Sequence, residues 1–156
     1  MALMIELFPE HLQAIGTIAV RWSSVDRVMH DILLLDFAMS EDAQILRACN
    51  AGVSRLELFK SRVEKTNIVE RSNLVAAAVR LVELAKERNL IVHGQYGVIV
   101  GDDGALAASW SDIGLKKGGK DFSEGGLVTT EHLLGHADDV KAASEPLRAY
   151  RYRAPT

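Results

Sequence analysis

The feature that most limits what this chain can fold into is a helical spacing of apolar residues sustained from about Pro9 to Phe37. Leu12, Ile15, Ile18, Ala19, Trp22, Val25, Met29, Ile32 and Leu33 recur at steps of three and four, while Gln13, Thr17, Ser24, Arg27 and Asp31 fall on other faces. One apolar stripe of that length must be covered by other helices. Pro9 suits the first turn, where its missing N–H has no helical partner to lose. Shorter helices are expected from Ser40 to about Cys49, ended by Asn50-Ala51-Gly52, and from Ser54 to Lys65 with Leu56, Phe59 and Val63 on one side. A fourth runs from about Glu70 to His93, and Gly94 stands where a left-handed C-terminal cap belongs.

Beyond Gly94 the period changes. Gln95 to Val100 and Ala105 to Trp110 read as two strands joined by Gly101-Asp102-Asp103-Gly104, a hairpin signal over about 95–111. The glycine- and charge-rich stretch of about 114–126 reads as a mobile loop. Thr129-Thr130-Glu131 then starts a last helix with Leu133, Leu134, Ala137, Val140 and Leu147. Pro146 is expected to kink it or to begin a new turn. The fold class is therefore mainly α: a bundle of four to five helices with a small β-hairpin inserted before the C-terminal helix. The whole of 1–156 reads as a single domain.

With 156 residues, 48% hydrophobic and 25% charged, the chain can bury a core without disulfides or a structural metal. The formal net charge of −3 argues against a broad basic surface for gripping nucleic acid. Cys49 is the single cysteine and has no intramolecular partner, which fits a reducing compartment. No leader is recognisable in the first eight residues, whose apolar run is broken by Glu6, and no stretch reaches the ~18 apolar residues of a membrane span. A cytoplasmic protein without membrane contact is expected.

The chemistry concentrates in the fourth helix. Leu74, Ala77, Ala78, Leu81, Leu84, Ala85 and Val92 share one stripe, and Arg88 falls on it, ~20° from Leu81 at ~100° per residue. A guanidinium on a core stripe must snorkel out at the helix end, be paired, or serve an opening. Val75, Val79, Val82 and Leu90 form a second apolar strip, with Asn89 and His93 along or beside it. A helix apolar nearly all round is either buried deep or used twice, once for the core and once for a partner, and a homodimer is the simpler account in a chain this small. His93 would then stand at or beside the subunit interface; otherwise it is a helix-end histidine favoured by the macrodipole.

Read together, Glu87-Arg88-Asn89-Leu90-Ile91-Val92-His93-Gly94 resembles the signature of the HEPN superfamily, an arginine and a polar residue followed by three apolar positions and a helix-end histidine. The long first helix with Trp22 and the late placement of the motif in the bundle are similar too, and the likeness covers about the first two-thirds of the chain. It implies a dimer that brings two copies of the motif together in a cleft. Many members are metal-independent endoribonucleases, often toxins or defence effectors, so the implied partners are a second copy, single-stranded RNA, and an antitoxin or other regulatory protein. No cofactor is implied. Carried over, His93 matches the catalytic histidine, Arg88 the arginine and Asn89 the polar position after it. Histidine titrates near neutrality and can shuttle the proton of a ribose 2′-OH, and a guanidinium fork suits phosphate oxygens. A non-catalytic HEPN-like dimerisation module is the alternative. Asp26, ~40° from Trp22, is a supporting candidate that would pair with Arg88 or orient His93, unless it simply turns to water. In the HepT branch a modifiable tyrosine follows the histidine after one residue; here two residues separate His93 from Tyr96, a departure from that pattern.

Weaker signals remain. His132, His136 and Asp139 have the i, i+4, i+7 spacing of a metal face but lack the glutamate of a zinc-protease motif. Arg148-Ala149-Tyr150-Arg151-Tyr152-Arg153 interleaves cations and aromatics, as single-strand RNA contacts do and as ordinary helix ends also do. Lys116, Lys117 and Lys120 suit either a phosphate contact or a solvated surface.

Overall fold

A computed structural model describes residues 9–93, 95–100, 106–111, 125–127 and 129–153, with side-chain surroundings defined for 9–92 and 129–153. The chain is mainly helical. Helix α1 (Pro9–Asp31) passes directly into a π-helical turn (Ile32–Asp36), and α2 (Ser40–Ala48), α3 (Gly52–Glu64), α4 (Arg71–His93) and α5 (Thr130–Arg151) follow. Between α4 and α5 lie β1 (Gln95–Val100), β2 (Leu106–Ser111) and β3 (Gly125–Leu127), an antiparallel sheet in the order β1-β2-β3. Gln95 lies opposite Ser111 and Val100 opposite Leu106, while Trp110 lies opposite Gly126. The cap expected at Gly94, the turn at 101–104 and most of the 114–126 loop fall outside the described residues. The last two glycines of that expected loop, Gly125 and Gly126, belong instead to β3.

The apolar stripe of α1 is real but rotated at its start. His11, Ala14, Ile18, Trp22, Val25, Met29, Ile32 and Leu33 are buried, whereas Leu12, expected in the stripe, is 55% exposed, Ile15 is half-buried and Ala19 is exposed. Counting back from Trp22 in steps of four, four and three gives Ile18, Ala14 and His11, the path that 3.6 residues per turn dictates. The π turn is closed by Phe37 N–H donating to Ile32 O at 2.9 Å and Met39 N–H donating to Leu33 O at 2.8 Å. Ala38 ends it at φ 54°, a left-handed conformation more natural to glycine.

Leu56, Phe59 and Val63 bury the inner face of α3, and Leu74, Ala78, Leu81, Leu84 and Ala85 that of α4. Near the end of α4, Ile91 is buried and Val92 exposed, the reverse of the expected phase. The Thr129 hydroxyl accepts the His132 N–H at 3.0 Å and caps the start of α5. That helix runs through Pro146 without interruption, correcting the expectation of a new turn there. Just upstream, Ser144 donates to Lys141 O at 2.9 Å. No helix among the described residues is long and apolar enough to cross a membrane.

The chain divides into two compact units. The first takes Met1–Ile18 and Glu87–Ala137 and contains the motif residues Arg88, Asn89 and His93. The second takes Ala19–Lys86 and Asp138–Thr156 and holds most of the buried apolar residues, Phe59, Met29 and Leu81 among them.

Candidate functional site

In the first unit, α4 ends on His93, whose backbone closes the helix and whose side chain lies outside the described residues. Five residues earlier Arg88 is half-buried. Its Nε is enclosed and has no hydrogen-bond acceptor among the described residues. One Nη reaches Asn89 Oδ1 at 3.4 Å, so the two neighbouring polar positions of the motif touch. The guanidinium therefore does not snorkel fully into water, and it pairs with no carboxylate among the described residues. A buried N–H without an acceptor is costly, and an incoming oxyanion would supply what it lacks.

Beside this arginine, Glu87 faces two histidines of α5. One carboxylate oxygen lies 3.7 Å from His132 Nε2, and the other 3.4 Å from His136 Nδ1. His136 is fully buried while Glu87 stays partly exposed. The i, i+4 spacing of the histidines thus serves the Glu87 carboxylate, which no local sequence pattern marks. Among the described residues no three His, Cys, Asp or Glu side chains are arranged to hold a metal ion, and Asp139 is an exposed residue of the second unit. His11 is a further buried histidine of the first unit, and its i, i+3, i+7 spacing to Ala14 and Ile18 is the sequence signal that marks the face.

Asp26 belongs to the second unit, and there it accepts a hydrogen bond from an Arg55 Nη at 2.7 Å. Arg55 is held from its other side by donating Nε–H to Cys49 O at 2.8 Å. Asp26 is thus the anchor of α3 on α1, a role for which the sequence carries no local signal because its partner lies 29 residues away.

The basic–aromatic run at the C-terminal end of α5 is engaged internally, in the same unit. Arg148 donates to Ser24 Oγ at 3.0 Å, Arg151 lies 3.7 Å from Asp36, and Arg153 donates to Glu70 at 3.0 Å while stacking over Tyr150 at 4.6 Å. Tyr150 itself is buried. These residues fasten the helix end to the bundle, which accounts for the pattern without RNA. Lys116, Lys117 and Lys120 lie outside the described residues.

No family model, curated protein or solved structure matches the chain.

Proposed function

We propose that this protein is a HEPN-like homodimer that cleaves single-stranded RNA without a metal ion, its Arg88, Asn89 and His93 facing the same residues of a second copy. The observation that carries the reading is the enclosed Nε of Arg88, a cationic donor without an acceptor among the described residues, five positions before a helix-end histidine. In this reading one His93 takes the proton of the ribose 2′-OH as the oxygen attacks phosphorus. The other protonates the departing 5′-oxygen. Arg88 stabilises the charge that builds on the phosphorane oxygens, and Asn89 holds the guanidinium in line. The fold reading belongs with it: one HEPN-like domain whose strand segment is a hairpin insert before the last helix, working in the cytoplasm and held in check by an antitoxin or regulatory partner. Leu90 and Val92, exposed apolar residues of the last turns of α4, supply a surface for the second copy.

That same exposed surface favours a second reading, a dimerisation module without chemistry. A fluorescent single-stranded RNA incubated with the protein in EDTA separates the two. Cleavage is expected for the wild type, with His93→Ala lowering the rate about 10²-fold or more and Arg88→Ala by a similar factor. RNA left intact by the wild type, or cut equally well by His93→Ala, leaves the module reading.

A further inference from the structure

The second unit holds a cleft that the RNA reading does not use. It is open, has a volume of about 460 Å³, and is lined by Asp26, Arg27, His30 and Asp31 of α1, Leu46 and Arg47 of α2, and Arg55 of α3. That volume lies in the range of small-molecule sites. We propose that this cleft binds a phosphomonoester of nucleotide size, gripped by Arg27 and Arg47 with His30 beside them.

The argument rests on which charges are already satisfied. Asp26 is paired with Arg55 at 2.7 Å, and Cys49 O fixes the Arg55 Nε–H from behind. Asp31 lies 3.3 Å from His30 Nδ1 and a looser 3.8 Å from Arg27 Nε. Asp31 therefore orients the imidazole and leaves Nε2 as the nitrogen available to a ligand. Arg27 is 81% exposed and among the described residues has only that loose ion pair, and Arg47 makes no ion pair or hydrogen bond among them. Three guanidiniums thus face two carboxylates, and the uncompensated charge sits on the two arginines that can still move. Forked guanidinium donors pair bidentately with phosphate oxygens, a dianion carries charge enough for both rim arginines, and the half-buried wall of Asp26, Asp31 and Arg55 sets the geometry behind it. A cationic ligand would meet charge of its own sign, and a neutral one would leave both rim arginines unused.

The proposal stands apart from RNA cleavage, since no motif residue lines the cleft. Titration calorimetry at low ionic strength with inorganic phosphate, AMP and adenosine tests it. Phosphate and AMP are expected to bind one site per chain and adenosine not to bind. The Arg27→Ala/Arg47→Ala double variant is expected to weaken AMP binding at least about tenfold. Arg47→Ala alone, which removes no ion pair or hydrogen bond among the described residues, provides the same direction of change if the double variant is less stable. The variant Arg88→Ala/His93→Ala is expected to bind AMP as the wild type does. Absence of saturable binding by both phosphate and AMP overturns the proposal, as does adenosine binding as tightly as AMP or an AMP affinity unaltered by loss of both rim arginines.

Discussion

Tyr150 shows how one side chain ties the C-terminal helix to the core and what that tie costs at high pH. Its ring is buried, tilted at 60° against Phe37 with centroids 6.0 Å apart, and covered by the Arg153 guanidinium. Burial pushes the phenol above its usual value of 10.0, the Arg153 charge and hydrogen bond pull it back, and Asp36 and Glu70 push it further up. The raised value means that the unfolded chain releases the phenolic proton first. Stability is unaffected by this group below about pH 10 and falls as the pH climbs from there toward the folded-state value. Tyr150→Phe removes the ionisable group while keeping the ring. Urea midpoints measured from pH 8 to pH 11 should therefore drop less steeply above pH 10 in the variant than in the wild type. Two parallel curves would show that the alkaline loss originates elsewhere.

At the scale of the element, the end of α1 is the least ordinary piece of backbone. The π turn over Ile32–Asp36 leaves Ala38 at φ 54°, where a Cβ crowds the chain and glycine does not. Ala38 is exposed, so replacing it perturbs no packing. Ala38→Gly relieves ~1–2 kcal/mol of left-handed strain and forfeits ~0.4–1 kcal/mol through a more flexible unfolded chain. The expected outcome is a gain of roughly 0.5–1 kcal/mol in denaturant unfolding, and a loss of stability would show that Ala38 is not strained. Nothing in Ile32-Leu33-Leu34-Leu35-Asp36 announces the π turn, because its apolar spacing is that of an ordinary helix. The helices themselves were legible to within a few residues, since strong 3.6-residue periods and Pro9, Gly52 and Thr129 mark their limits. Phase was harder to read: several apolar residues compete for one face, and packing selects His11 over Leu12 and Ile91 over Val92. In the candidate site, Arg88 declared itself as a charge on a core stripe. The Glu87–His136 and Asp26–Arg55 pairs did not, because they join segments far apart in sequence and depend on helix rotation that no local pattern records.

For the whole molecule, the formal charge of −3 constrains the RNA cleavage proposed above. The basic run at the end of α5 is consumed by Ser24, Asp36 and Glu70, so it offers no long electrostatic track. In the proposed function, affinity would come from a few phosphates in a confined place, with a shallow dependence on salt. A second copy doubles the cations at such a place without changing the acidity of the rest. The proposed chemistry therefore calls for a dimer, and the exposed apolar residues at the same end of α4 become its test. Leu90 is 40% exposed and Val92 42% exposed. Leu90→Glu leaves the monomer fold undisturbed at an exposed helical position but would bury an unpaired carboxylate at the interface, at a cost of several kcal/mol. Sedimentation velocity should show a wild-type dimer and a Leu90→Glu monomer at micromolar concentration, with circular dichroism unchanged. RNA cleavage should fall in proportion to the lost dimer and recover as protein concentration is raised. A Leu90→Glu monomer that cuts RNA at the wild-type rate would mean that a single motif suffices and that no composite cleft exists.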